Sequence, residues 1–281
     1  MQEVRCLLKV EEVLQRDEYL SREQAQALSE IVLGGLQVPG RGSNGLQTSE
    51  EEGTGLQKTG QEREHRWMLE LEIEGAICRT RREWLHNDPR PCFTIDIRGS
   101  RRTYGRLTLF CPDWDELDYP QTHSREILLE LISLRLGYFL ETPSRTSGRV
   151  PRMMQDYHWK WRLLLAQLLA YTTNLEYYGI DEIYIIGSTK EANAQLSSDL
   201  DLVVHWNGEQ DQKQEMLAWF EHWESMLHAL YTEQFGHRIP ARFLDYHIVT
   251  EEDRRRQTSY AVMIDSPRNL ARLLRRRAQE R

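Results

Sequence analysis

The sequence predicts an α+β protein in two units: an antiparallel sheet flanked by helices over residues 1–141, and a mixed sheet flanked by helices over 153–281, joined by a linker at 142–152. Three observations carry this expectation. Between residues 69 and 111, apolar and polar side chains alternate in short runs, the period of strands with one buried face. From Gln155 onward, short apolar runs are interleaved with long stretches of helical period. Between them, Thr142-Pro143-Ser144-Arg145-Thr146-Ser147-Gly148-Arg149, ended by Pro151, has the composition of a boundary.

In chain order, Leu7, Val10 and Leu14 form one helical stripe. Ser21-Arg22-Glu23-Gln24 has the form of a capping box and should start a second helix carrying Ala25, Leu28, Ile31 and Val32. From Gly34 to about Glu64 the pattern collapses. Gly-Leu-Gln recurs at Gly35, Gly45 and Gly55 among polar and small residues, a composition that buries nothing and reads as a flexible insertion. Leu69, Leu71 and Ile73 alternate with Glu70, Glu72 and Glu74, and Gly75 turns the chain into a strand from Ala76 to Thr80. Phe93, Ile95 and Ile97, then Leu107, Leu109 and Cys111, continue the alternation, so an antiparallel meander is expected. A helix from about Ser124 to Leu140, with Ile127, Leu131, Leu134 and Tyr138 on one stripe, closes this unit.

The second unit opens with a helix from about Gln155 to Tyr178, with Trp161, Leu164, Leu165 and Leu168 facing inward and Gly179 as its C-cap. Trp159, Tyr171 and Tyr178 read either as core or as a wall for stacking bases. Met216, Phe220, Trp223, Leu227 and Leu230 make a core-facing stripe between Gln212 and Phe235. In the strand Phe243–Thr250, Phe243, Asp245 and His247 should share one face and Leu244, Tyr246 and Ile248 the other. A last helix is expected from Glu251, interrupted at Pro267, with a basic helix running to Arg281.

Net charge is −8, with 40% hydrophobic and 28% charged residues, an ordinary globular balance. It argues against a chain that wraps nucleic acid through a basic surface. The exceptions are Arg254-Arg255-Arg256 and Arg275-Arg276-Arg277, which read as a solvated basic helix or, more sharply, as a phosphate or RNA site. No apolar run is long enough to span a bilayer and the first residues lack a signal-peptide core, so a cytoplasmic location is expected. Cys6, Cys78, Cys92 and Cys111 lack zinc spacing, and Asp113, Asp115 and Glu116 read as a solvated acidic loop.

The chemistry concentrates between Ile183 and Val204. An apolar strand ends in Gly187-Ser188, a polar loop comes next, and a second apolar strand carries Asp199 and Asp201. Residues two apart in a strand point the same way, with Leu200 and Leu202 opposite. Two adjacent carboxylates repel unless a cation lies between them, and oxygen ligands suit Mg²⁺, with Mn²⁺ as a substitute. Glycine permits a tight bend and close approach to the backbone. Ser188 adds a hydroxyl and Lys190 a positive charge. His205 and His247 lie in or just after acidic strands, and are read as structural or as approaching the site.

Gly187-Ser188 followed by Asp199 and Asp201 resembles the signature of the polymerase-β type nucleotidyltransferase superfamily. The resemblance implies a third carboxylate from a later strand, for which Asp245 is placed. More narrowly, the segments Ile185 to Asp201 and Leu244 to Val262 are similar to a nucleotidyltransferase domain associated with bacterial phosphoenolpyruvate/pyruvate-binding, dikinase-like proteins. The first unit is similar to the regulatory region of those proteins and, more loosely, to GAF/PAS-type sensor folds. The resemblance implies a transferase with Asp199, Asp201 and Asp245 as metal ligands and catalytic groups. Gly187, Ser188, Lys190 and Ser198 would bind the nucleoside triphosphate, most naturally ATP. The acceptor stays open among a protein side chain, a small alcohol and an RNA end, and a dikinase-like partner is implied. The competing expectation is a non-catalytic module that binds a nucleotide or a protein.

Overall fold

A computed structural model describes residues 2–14, 21–36, 68–73, 76–81, 91–99, 102–111, 118–141, 154–236 and 242–278. The expected linker at 142–152, residues 37–64 of the expected insertion and the acidic loop around Asp113 lie outside the described residues. Helices α1 (Gln2–Leu14) and α2 (Arg22–Leu36) pack as a pair. The capping box at the start of α2 is present: Gln24 N–H donates to Ser21 Oγ at 3.2 Å, and Ser21 N–H donates to Gln24 Oε1 at 2.8 Å.

Strands β1 (Met68–Ile73), β2 (Ala76–Arg81), β3 (Phe93–Arg98) and β4 (Thr103–Phe110) form an antiparallel sheet in the order β2-β1-β4-β3. This corrects the expected meander, since β2 and β3 are not neighbours but opposite edges. The central pairing sets Leu69 opposite Leu109 and Leu71 opposite Leu107. Cross-strand apolar pairs of this kind fix register. Helix α3 (Tyr119–Glu141) starts earlier than expected and is buried around much of its circumference, with Ile127, Leu128, Leu129, Leu131, Ile132 and Leu136 all inaccessible. It lies between β3–β4 and α4 (Met154–Thr172), so one apolar stripe could not serve both neighbours. Arg135 of α3 donates to both carboxylate oxygens of Glu11 of α1 at 2.7 Å, with both residues buried. Buried side chains from the helices and from both sheets form one continuous apolar cluster.

The second half continues with β5 (Ile180–Ile185), α5 (Gly187–Lys190), β6 (Leu200–Trp206), α6 (Gln210–Phe235), β7 (Leu244–Val249), α7 (Glu251–Arg256), α8 (Ser259–Ile264) and β8 (Arg272–Arg276). The sheet order is β7-β6-β5-β8; β6 and β7 are parallel and the other pairs antiparallel, so it is mixed as expected. One face buries Ile183, Ile185, Leu200, Leu202, Val204 and Leu244 in the main core. The other carries a small cluster of Tyr184, Ile186, Val203, Val249 and Ala261, with α8 laid over it. Helix α4 stops at Thr172, short of the expected Tyr178; residues 175–179 are a turn.

The expected basic C-terminal helix is corrected: the segment is strand β8, paired with β5. Leucine and arginine favour a helix locally, but alternate side chains of an extended strand find partners here that a helix would not reach. Arg275 donates to the carbonyls of Ala170, Tyr171 and Thr173 at 2.8–2.9 Å, at the C-terminal end of α4 where the helix dipole favours a cation. On the opposite face Arg276 meets Glu182 at 2.5 Å, and Arg277 pairs with Asp181. The run is therefore not a solvated helix. Arg254, Arg255 and Arg256 do lie on a helix, where each pairs with an acid: Arg254 with Glu251 and Asp265, the other two with Glu252.

Candidate metal centre

The parallel pairing of β6 and β7 places Asp201 directly opposite Asp245. Asp199 immediately precedes β6, two residues from Asp201. A carboxylate oxygen from each of the three lies within 4.8 Å of the others, with Asp199 exposed and the other two half-buried. Burial, reinforced by the charges of Asp199 and Asp245, pushes the Asp201 carboxyl up from 3.8 to about 6. Three oxygen donors that destabilise one another when charged are a donor set suited to a hard divalent cation.

Gly187 sits where β5 gives way to α5, with φ at +67°. A Cβ there would lie 2.1 Å from Asp201 Oδ2. Glycine is therefore required twice, for the left-handed backbone and for the carboxylate packed against it. The same junction is tied to β6 by Ile186 N–H, which donates to the Asp201 carbonyl at 3.1 Å. Ser188 Oγ is buried beside it and makes no hydrogen bond within the protein. Such an orphaned hydroxyl next to a cluster of acids fits a site that takes a further polar group. The ammonium of Lys190 meets Glu191 Oε1 at 2.6 Å, and Ser198 Oγ accepts from Gln195 N–H at 2.8 Å. The structure thus brings Asp199, Asp201, Asp245 and Gly187 together and engages Lys190 and Ser198 in local contacts.

Two supporting residues escape a reading of the sequence alone. Arg162 of α4 is fully buried; its Nε and Nη2 donate to the Ser198 carbonyl at 3.0 and 2.7 Å, and Nη2 also reaches the Leu196 carbonyl at 2.9 Å. It thereby holds the loop that ends in Asp199. Burial lowers its guanidinium to about 10, against the opposing influence of Tyr231 and Asp199. An arginine one turn from Leu165 on a buried stripe was the available signal. Glu224 of α6 accepts the N–H groups of Phe243 at 2.9 Å and Leu244 at 2.6 Å, pinning the entry to β7 just before Asp245.

Phe243 does not share a face with Asp245, contrary to the expected alternation. It lies in the bend before β7, fully buried, with its ring 5.7 Å from that of Trp161. His247 does flank Asp245: its Nε2 is 3.5 Å from Asp245 Oδ2 and its ring stacks on Tyr260. His205 is elsewhere, four residues beyond Asp201 and therefore ~13 Å along the strand. It is buried between Glu251, 2.9 Å from Nε2, and Glu182, 3.6 Å from Nδ1. That group borders a cleft of about 730 Å³ which does not include the three aspartates. Tyr171 and Tyr178 pack against the main core, Tyr178 stacked on Trp219, so neither forms a wall at the acidic cluster.

No family profile, curated protein or solved structure matches the chain.

Proposed function

We propose that this protein is a polymerase-β type nucleotidyltransferase, moving a nucleoside monophosphate from a triphosphate to a hydroxyl acceptor with release of pyrophosphate. The observation that carries the reading is the meeting of Asp199, Asp201 and Asp245 within 4.8 Å, beside a bend where Gly187 leaves no room for a side chain. The three carboxylates would hold divalent cation, Mg²⁺ or in its place Mn²⁺. When bound, the cation supplies charge neutralisation at the α-phosphate and lowers the pKa of the attacking hydroxyl. The chain's own part is positioning. Gly187 opens the backbone to the triphosphate, and the buried Ser188 hydroxyl is the donor nearest the bend without a partner of its own. Asp245, the outermost strand-borne carboxylate, is the acceptor for the hydroxyl proton. Catalysis of this kind rests on orientation and electrostatics rather than on a covalent intermediate.

ATP is the triphosphate we favour, and a side chain of a partner protein, in a dikinase-like system, is the acceptor. A nucleic-acid acceptor is disfavoured by the net charge of −8 and by the engagement of both arginine runs in internal pairs. Among the described residues no helix is long and apolar enough to cross a membrane; the reading places the protein in the cytoplasm, with residues 1–141 as a sensor-like unit of GAF/PAS type and 153–281 as the transferase. The test is incubation with each labelled nucleoside triphosphate, Mg²⁺ and cell lysate. Pyrophosphate release with a labelled product, lost in Asp201→Asn, is the expected result. Calorimetric nucleotide binding without pyrophosphate release would make the protein a regulatory module instead.

A further inference from the structure

We propose that His247, held in place by Tyr260, is a positioning residue that fixes the Asp245 carboxylate for cation binding; the inference rests on the cation-site reading above. Asp245 and His247 are two residues apart on β7 and project from the same face. The gap of 3.5 Å between His247 Nε2 and Asp245 Oδ2 is an electrostatic contact rather than a short hydrogen bond. The imidazole is itself clamped: its ring centroid lies 3.7 Å from that of Tyr260, with the planes 14° apart. Tyr260 belongs to α8, which packs through Ala261 on Val203 and Val249 of the sheet.

The chain between the two rings is built as a closed hook. Strand β7 ends at Val249, and α7 starts on a reciprocal cap in which Asp253 N–H donates to Thr250 Oγ1 at 3.2 Å and Thr250 N–H donates to Asp253 Oδ2 at 2.9 Å. The chain then returns through α8 to lay Tyr260 over His247. Asp245 needs such support more than its neighbours do. Asp201 is hemmed in by Gly187, and the loop ending in Asp199 is held by Arg162. Asp245 is on an edge strand with its side chain about half exposed, and a ligand free to rotate costs affinity when it is immobilised. An imidazole fixed beside a ligating carboxylate is the kind of outer partner that orients metal ligands.

The experiment is Mn²⁺ titration of the full chain by calorimetry, with thermal melting in EDTA alongside. His247→Ala is expected to weaken Mn²⁺ binding by about tenfold or more. His247→Gln, which keeps an N–H at the place of Nε2, should stay within about threefold of the parent, and Tyr260→Leu, which removes the stacking ring, should fall between the two. A role confined to packing α8 would lower the melting temperature without moving the Mn²⁺ affinity of the folded fraction. An unchanged affinity in His247→Ala, with Asp201→Asn abolishing binding, overturns the proposal; so does His247→Gln binding as weakly as the alanine variant. Absence of Mn²⁺ binding by the parent chain would instead overturn the cation site itself. Should His247→Ala fail to fold, Tyr260→Leu decides: Mn²⁺ binding weaker than the parent's supports the proposal, and binding equal to the parent's overturns it.

Discussion

Replacing Asp201 by Asn should stabilise the cation-free protein while abolishing its response to cation, two changes of opposite sign. The magnitude comes from the environment of the carboxylate, which burial and the charges of Asp199 and Asp245 lift from 3.8 to about 6. At ~1.4 kcal/mol per decade that corresponds to roughly 3 kcal/mol of unfavourable free energy once the group is ionised. The side chain is only half-buried, and solvent screening reduces this to ~1–2 kcal/mol. Asparagine keeps the shape and removes the charge, so in EDTA near neutral pH the variant should melt roughly 2–6 °C higher than the parent. The sign of the pH dependence is set by the same value. A carboxyl raised on folding binds its proton more tightly in the native state, so this group's contribution to cation-free stability is fully present below about pH 4 and is lost as pH climbs through about 6. The variant should lack this slope. Thermal melting from acid to neutral pH, with and without Mg²⁺, reads both effects. A variant that melts lower in EDTA, or that is still stabilised by Mg²⁺, would refute the reasoning.

Gly187→Ala forces a side chain into a left-handed backbone, at ~1–2 kcal/mol, and its Cβ would meet Asp201 Oδ2 at 2.1 Å. Melting should fall, and Mn²⁺ affinity should drop by about tenfold or more as the displaced carboxylate loses its orientation; calorimetry checks the second effect separately. Apparent cation affinity should itself fall about tenfold per pH unit below about 6, because Asp201 must release its proton to ligate. A flat calorimetric profile between neutral and mildly acid pH would count against Asp201 as a ligand. Glu11→Ala strands the buried Arg135 guanidinium without its partner and should cost ~3–5 kcal/mol in urea unfolding, with no carboxylate of the acidic cluster altered and cation affinity of the folded protein unchanged.

Where local pattern and tertiary contact agree, the sequence was a sufficient guide. The reciprocal cap at Ser21–Gln24 is a three-residue relationship and forms as written. Leu200 and Leu202 do face the core while Asp199 and Asp201 turn away, because a strand leaves a period-two pattern no alternative. The same logic failed at Phe243, since the bend before β7 breaks the alternation, and at α3, where two apolar neighbours replace one. Local pattern also gave no sheet order: β1 reaches past its hairpin partner to pair with β4. The C-terminal Leu-Arg run was the largest misreading. Its strand state depends on Asp181 and Glu182 and on carbonyls at the end of α4; the Arg276–Glu182 contact, for one, spans 94 residues.

By itself the sequence determined most of the strands and helices, though not β8, and with them the bend at Gly187 and the two aspartates presented together at the start of β6. Only the tertiary structure decided that Asp245 stands opposite Asp201, that Arg162 and Glu224 hold the backbone on either side of them, and that His247 is clamped beside the third acid. The division has a physical origin. Dihedral period and capping are written in neighbouring residues, whereas strand register and the partners of buried charges are chosen by groups distant along the chain, whose meeting is settled only when the core closes.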